Sequence, residues 1–334
     1  MSERDILKSE ILNLNHSEPE KFDDLAIRLF RYQFGQNQLF RKWCIHFNKT
    51  PDNVTTIIDL PFIPISFFKQ FELKSTEMPT KMIFKSSGTS GLQNSQHFIT
   101  DLEIYEKVCV EIFEHYFGDL SNFYLLALLP NYLEQGNSSL VYMINHFMKK
   151  SRNDFDAFFL YDWERLNQKI IELSTQSKPV VLWGVTYALL DFSEKYNIKL
   201  TDNFLVFETG GMKGRKKEMI REEVHETLKN SFGVDKIYSE YGMTEMLSQA
   251  YITHESSFFI PASTLKLLIR EHNDPFSISS SGRGLLNVID LANIDSCAFF
   301  ATDDIGVVYR NGSFDVLGRS DLSENRGCNL LWVG

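Results

Sequence analysis

The chain is short of the residues that mark several common protein classes. It has four cysteines, Cys44, Cys109, Cys297 and Cys328, far apart and with no Cys-x-x-Cys among them. That spacing gives no support to zinc sites or dithiol redox chemistry, and it suits a reducing, cytoplasmic setting. Cations are in deficit: 34 Lys and Arg against 44 Asp and Glu leave a net charge of −10. A surface that tracks a phosphate backbone needs clustered Lys and Arg, so nucleic acid is not expected as the main partner. A single nucleotide, held locally with a metal ion, is still compatible with this balance. No apolar run reaches the roughly 18 residues of a membrane span, and the polar start Met1-Ser2-Glu3-Arg4-Asp5 has no apolar signal core. What the chain has in quantity is apolar residues, 43% of 334, enough for one large domain or two modest ones.

Three textures follow one another along the sequence. Residues 1–60 read as a helical segment: Leu25, Leu29, Tyr32 and Phe40 recur at roughly helical spacing, and Phe22, Phe30, Phe34 and Phe47 make it rich in aromatics suited to capping a larger body. In the apolar run from Pro61 to Lys69, two prolines disfavour a regular helix. Residues 61–255 alternate strand and helix. Strands are expected at 81–84, 123–129, 157–161, 180–183, 204–208 and 236–238, and helices at 102–117, 138–149, 164–174, 188–196 and 217–230. Such alternation predicts an α/β fold with a mostly parallel sheet covered on both faces, and ligands in that class bind at the carboxyl ends of the strands. Residues 256–334 change to short strands between glycine, asparagine and serine turns, the texture of a small β subdomain and a C-terminal tail.

Two runs carry the chemistry. Lys85-Ser86-Ser87-Gly88-Thr89-Ser90-Gly91 follows the apolar Met82-Ile83-Phe84. Its glycines let backbone N–H groups turn toward one point and its hydroxyls add donors without bulk, which suits phosphate oxygens. No Gly-Lys-Ser/Thr closes it, so it is not a Walker A loop, and an ordinary solvent loop has the same composition. Far away lies Glu240-Tyr241-Gly242-Met243-Thr244-Glu245. Taken alone, Glu245 reads as a first-turn carboxylate facing a helix dipole.

Together these runs resemble the adenylate-forming superfamily. The wider wording, Phe84 to Gly91, Ser239 to Tyr251, and Leu317-Gly318-Arg319-Ser320-Asp321 through Arg326-Gly327-Cys328, resembles the acyl-protein synthetase family, which includes the synthetase subunit of the bacterial bioluminescence fatty-acid reductase. The resemblance runs in order from about Pro61 to the end. It implies the large domain of an adenylate-forming enzyme, mostly parallel sheets flanked by helices plus a small β subdomain, without the C-terminal lid domain. It also implies ATP and Mg2+, a carboxylic and most plausibly fatty acid substrate, and an acyl-acceptor protein or reductase as partner.

Site residues carry over by position. Ser86, Ser87, Gly88, Thr89, Ser90 and Gly91 match the loop that cradles the β- and γ-phosphates. Thr244 matches the hydroxyl offered to the α-phosphate, and Glu245 the carboxylate that holds magnesium, a hard ion that prefers oxygen. Gly210 and Gly211, in Phe207-Glu208-Thr209-Gly210-Gly211-Met212, match the turn against which adenine lies, with Tyr241 stacked on the ring. Asp304, in Ala301-Thr302-Asp303-Asp304-Ile305-Gly306, matches the ribose-binding carboxylate, although Asp303 stands where the family has glycine. Arg319 matches an arginine that reaches ribose or phosphate, and Asp321 the hinge to a lid.

Two departures qualify the match. The phosphate loop's usual following lysine is absent, with Ser95 near its place and Lys85 before the loop instead. The sequence runs only 13 residues beyond Asp321, so a lid with its catalytic lysine is not expected. Cys328 matches the C-terminal cysteine that accepts the acyl group in acyl-protein synthetases, and Arg326 beside it would favour the thiolate. A small hydrophobe packing before Leu330-Leu331-Trp332 is the other reading. Cys44, Cys109 and Cys297 read as core residues, and His97 and His254 as surface or loop residues. The function expected is ATP-dependent activation of a carboxylic acid, then acyl transfer to a protein thiol. The rivals are an acyl-coenzyme A ligase of the phenylacetate type and a non-catalytic protein that binds nucleotide or a partner.

Overall fold

A computed structural model describes residues 1–86, 94–130, 136–210 and 219–320. The chain begins with helices α1 (Glu3–Leu12), α2 (Pro19–Gln36) and α3 (Gln38–His46). Sequence-local caps start two of them: Ser2 and Asp5 form a reciprocal capping box on α1, and the Asn37 side chain accepts the Phe40 N–H ahead of α3. The stretch with two prolines forms a two-residue strand, β1 (Ile63–Pro64), and a single helical turn, α4 (Phe67–Gln70). Next come β2 (Met82–Lys85), β3 (Gln96–Ile99), α5 (Leu102–Phe117), β4 (Tyr124–Leu128), α6 (Ser139–Ser151) and α7 (Trp163–Leu173). The alternation continues with β5 (Val180–Val185), α8 (Thr186–Tyr196), β6 (Phe204–Thr209), α9 (Arg221–Phe232) and β7 (Ile237–Tyr241). Short strands follow: β8 (Ala250–Ile252), β9 (Phe259–Pro261), β10 (Leu265–Arg270), β11 (Ile278–Ser279), β12 (Gly282–Asp290), β13 (Phe299–Val308) and β14 (Phe314–Arg319).

One large sheet organises the fold, in the order β11-β10-β12-β13-β14-β9-β8-β7-β6-β5-β4 with β1 alongside β13. Strands β4 to β7 are parallel, as the alternation predicts. From β7 onward the neighbours pair antiparallel. The strands after residue 255 therefore add to the same sheet, through Ala250 opposite Pro261 and Ile252 opposite Phe259. Each residue of β5, Val-Val-Leu-Trp-Gly-Val, is buried, as expected of a strand with helices on both faces. On one face Trp183, Phe207 and Tyr238 stack across three strands at 4.7 and 5.0 Å, with Phe113 of α5 against Trp183 and Phe207. Cys44, Cys109 and Cys297 are core residues, and burial pushes the Cys297 thiol up to about 12.

Two expectations are corrected here. Residues 157–161 form no strand; a single bridge joins Phe158 to Ala127. The Asp162 N–H turns back to the Phe159 carbonyl, and the Asp162 side chain then caps α7, so the chain leaves the sheet after one pairing. The glycine-loop strand is also not part of the parallel sheet: β2 and β3 form a separate antiparallel hairpin. No described helix is long and apolar enough to cross a membrane.

The N-terminal helices pack onto the far side of β13. Phe30 and Phe40 contact the ring of Phe299 at 6.3 and 5.9 Å. Arg4 of α1 bonds Asp295 at 2.5 and 2.6 Å and Asp101 at 3.0 Å. Gln33, fully buried in α2, donates to the carbonyls of Asn293 and Ile294 at 2.8 and 3.1 Å and accepts the Ala298 N–H at 3.0 Å. Gln33→Leu keeps the volume and strips three buried backbone groups of this partner. We expect the unfolding free energy to fall by about 3 kcal/mol in urea titration, since each orphaned group costs on the order of 1–3 kcal/mol; an unchanged midpoint would refute this bridge.

Candidate active site

The carboxyl ends of β6 and β7 and the strands β13 and β14 gather the candidate residues. Along β13 burial alternates, with Thr302 and Asp304 inside and Asp303 half-exposed. That period of two puts the two aspartates on opposite faces, and Asp304 is the one that faces Tyr241. Its Oδ2 accepts the Tyr241 hydroxyl at 2.8 Å, and its Oδ1 accepts Nε of Arg319 at 3.1 Å across the β13–β14 pair. Burial, and then the Asp304 charge, lifts the Tyr241 hydroxyl well above its usual value, so it stays a donor. The Arg319 side chain is 78% exposed, which keeps its guanidinium accessible from solvent. The Tyr241 ring rests on Phe314 at 5.3 Å and Phe259 at 5.8 Å.

The turn after β7 carries Thr244 and Glu245. The Met246 N–H bonds the Met243 carbonyl at 3.0 Å, and this is a turn rather than a helix start, so no helix dipole accounts for Glu245. Asp290, fully buried at the end of β12, accepts the N–H groups of Leu247, Ser248 and Ala292 and the Ser248 hydroxyl, at 2.6 to 3.1 Å. The Asn293 amide donates to the Glu245 carbonyl at 2.8 Å. The Glu245 carboxyl is itself buried, and burial raises its pKa; the Ser95 hydroxyl and the charges of Arg319 and Lys69 oppose that rise. A Cβ at Gly242 would crowd Oε1 of Glu240, whose side chain would have to shift.

At the end of β6, Gly210 has φ +73, a conformation that favours glycine, and its carbonyl accepts the Thr186 hydroxyl. The loop of hydroxyls and glycines leaves the β2–β3 hairpin at Ser86. Two bonds close its base, Ser95 N–H to the Ser86 hydroxyl at 2.9 Å and Ser86 N–H to the Ser95 carbonyl at 3.2 Å. Ser87, Gly88, Thr89, Ser90, Gly91, Gly211, Asp321 and Cys328 lie outside the described residues.

Sequence reasoning missed two residues. His97 was expected on the surface or in a loop; it lies on β3 and is 1% exposed. Its Nδ1 is 2.9 Å from the Thr244 carbonyl and its Nε2 is 2.8 Å from the Ser296 hydroxyl. Ser95, which marked only a lysine's absence, is buried against Glu245. The one available signal was their alternation with buried Ile99 along a short strand.

Among the described residues, no group of three or more His, Cys, Asp and Glu gathers to hold a metal ion. Magnesium fits a different arrangement: one carboxylate oxygen, with phosphate and water supplying the remaining ligands. Glu245 is a buried hard donor of the kind that arrangement needs.

The description "Acyl-protein synthetase, LuxE" belongs to a family model that matches residues 2–111 and 136–332. The chain belongs to this family. It is thus an acyl-protein synthetase by membership, a ligase of the adenylate-forming kind. A long-chain-fatty-acid–luciferin-component ligase of Aliivibrio fischeri is 24% identical over 332 residues, 92% of this chain and 86% of that protein. One of the same name from Photorhabdus luminescens is 36% identical over 91 residues, 27% of this chain and 78% of that sequence. Among solved structures, a 2-hydroxyisobutyryl-CoA ligase in the postadenylation state aligns with TM-score 0.68 and 12% identity, over 91% of this chain and 68% of its own. An ATP-bound RpMatB-BxBclM chimera aligns with TM-score 0.52 and 17% identity over 71% of this chain, which spans about half of it, 47%. These structures establish the adenylate-forming fold for this synthetase.

One buried acid beside the site sets a pH dependence. Glu240 is buried on β7 with the Thr209 hydroxyl as donor, and burial lifts its carboxyl from 4.5 to about 7. Its folded-state pKa lies above the unfolded one, so the folded synthetase holds this proton more tightly. The associated stability is full below about pH 4.5 and is lost as pH rises through about 7. Glu240→Gln, a neutral mimic of the protonated acid, should match the parent at pH 4.5. It should exceed the parent by about 3 kcal/mol at pH 8. Urea unfolding at both pH values checks this; a gap that does not widen with pH would show that Glu240 is charged in the folded chain.

Proposed function

We propose that this acyl-protein synthetase activates a long-chain fatty acid with ATP as the acyl-adenylate and passes the acyl group to a protein thiol. The observation that carries this reading is the convergence of Tyr241, Asp304 and Arg319 with the buried Glu245, at the strand ends where α/β folds bind ligands. Asp304 and Arg319 would engage the ribose and the phosphate edge, and Tyr241 with the Gly210–Gly211 turn the adenine. Thr244 would donate to the α-phosphate, and the Ser86–Gly91 loop would hold the terminal phosphates. Glu245 would hold magnesium, which when bound offsets phosphate charge.

In the first half-reaction a carboxylate oxygen of the acid forms a bond to the α-phosphorus, and the bond to the β-phosphate bridge breaks, releasing pyrophosphate. Two anions must meet, so orientation and charge compensation supply the acceleration. In the second, a thiolate attacks the acyl carbon and AMP leaves. Cys328 would take the acyl group first, as a thioester, before a partner protein such as a luciferin-component protein or a reductase receives it. Substrate class and acceptor follow the names of the two relatives above.

Acid-dependent exchange of labelled pyrophosphate into ATP, run with acetate, benzoate, octanoate and hexadecanoate, tests the first half-reaction. Hexadecanoate should support the fastest exchange. Glu245→Gln should lower it by about a hundredfold, the scale of one well-placed electrostatic group, with the far-ultraviolet circular dichroism unchanged. Exchange that ignores this substitution would remove Glu245 from the metal's coordination.

The second half-reaction has its own check. With labelled hexadecanoate and ATP, the protein should acquire a hydroxylamine-labile label on the peptide containing Cys328, and Cys328→Ser should abolish it. Label surviving in that variant would exclude the cysteine. Acylated coenzyme A with no protein-bound label would favour the coenzyme A ligase.

A further inference from the structure

The buried ring of His97 joins two halves of the site that are distant in sequence. A carbonyl oxygen can only accept, so the 2.9 Å contact with the Thr244 carbonyl places the proton on Nδ1. Nε2 must then accept, and the Ser296 hydroxyl at 2.8 Å donates to it. Burial pulls the ring's pKa down to about 4, which keeps this neutral tautomer at ordinary pH. The ring is fixed from further out as well: the Ser296 carbonyl accepts the Ser75 hydroxyl at 2.5 Å and the Asn37 amide at 3.3 Å, and Phe68 meets the imidazole edge-on at 5.5 Å. Two residues earlier, just ahead of β3, Ser95 closes the base of the hairpin onto Ser86, and its side chain acts on the Glu245 carboxyl.

We infer that His97 is a positioning residue for acid activation: its Nδ1–H···O=C bond to Thr244 holds the turn bearing Thr244 and Glu245 at a fixed distance from the Ser86–Ser95 end of the β2–β3 hairpin. This rests on the adenylation reading above. The site needs such a tie because β2 and β3 do not belong to the large sheet, while the turn follows β7, which does. Among the described residues no continuous ladder of backbone bonds sets the spacing of the two, so side chains must. His97 touches no reacting atom in this account. It acts through the backbone of Thr244, and an error of about 1 Å in such placement can cost about a hundredfold in rate.

Two isosteres separate this role from mere packing. The amide nitrogen of asparagine reaches the place of Nδ1, and that of glutamine the place of Nε2. In hexadecanoate-dependent exchange, His97→Leu and His97→Gln should lower kcat by about thirtyfold or more. Their KM for ATP should stay within about threefold, since ground-state contacts remain. His97→Asn should stay within about threefold of the unaltered protein in kcat. Rates are compared at equal folded fraction, from melting followed by circular dichroism. Ring nitrogen shifts in ¹⁵N-histidine-labelled protein should show His97 protonated at Nδ1. Asparagine and glutamine variants equally impaired, a leucine variant with full kcat, or a ring protonated at Nε2 would each overturn the inference; should the leucine variant fail to fold, the asparagine–glutamine pair decides. No exchange in the unaltered protein would overturn the adenylation reading and this inference with it, whereas normal exchange with indifferent variants overturns the inference alone.

Discussion

The buried carboxylate of Asp290 is the constraint on which the site's geometry depends. It sits at the end of β12, fully inaccessible, and takes four hydrogen bonds from Leu247, Ser248 and Ala292. Burial raises its pKa and these donors lower it, the usual contest for a charge inside a protein. Removing an interior carboxylate's donors leaves an uncompensated group, so the 246–248 turn and the end of β12 are effectively one unit. Glu245 stands directly before that turn, and Asn293, just beyond Asp290, reaches back to its carbonyl. The position of Glu245 is thus determined from β12, across the sheet from the strand that precedes it.

The same region ties the N-terminal helices to the site. Gln33 bonds the backbone of 293–298, Asn37 bonds the Ser296 carbonyl, and Ser296 in turn donates to His97. Arg4 closes on Asp295 from α1. Residues 291–297 therefore act as a hub: helices α1 and α2 contact one side, and the Thr244–Glu245 turn and the β3 strand contact the other. The aromatic-rich opening segment does more than cover apolar surface, because its polar side chains complete the hydrogen bonding of the backbone that supports the site.

How much of this was legible in the sequence depended on range. The helices at 102–117 and 139–151 and the strands β4 to β7 follow from local periodicity, and their predicted bounds differ from the observed ones by a few residues. The motif residues were legible because several rare residue types stand in fixed order. His97, Ser95 and Asp290 were not, because what defines them is a partner 147, 150 or about 40 positions away, and burial of a polar residue leaves no mark in local pattern. A lone histidine between Gln96 and Phe98 looks the same whether it faces solvent or a carbonyl. The expected strand at 157–161 failed for the opposite reason: its composition suits a strand, but the turn at 159–162 and the cap of α7 take the backbone away first.

The charges at the site are unevenly matched. The charge of Arg319 acts on Asp303, Asp304 and Glu245, and Lys69 and Arg270 are the other cations nearby. Asp304 is matched by Arg319 at hydrogen-bond distance, and burial raises the pKa of both Asp303 and Glu245. A carboxylate in that condition gains more from a cation than one already paired, because the cation replaces both a proton and the lost water. Of the two, Glu245 is the more deeply buried, and the Asn293 amide holds its backbone carbonyl. A magnesium ion arriving with the nucleotide, as proposed above, would meet that need at Glu245.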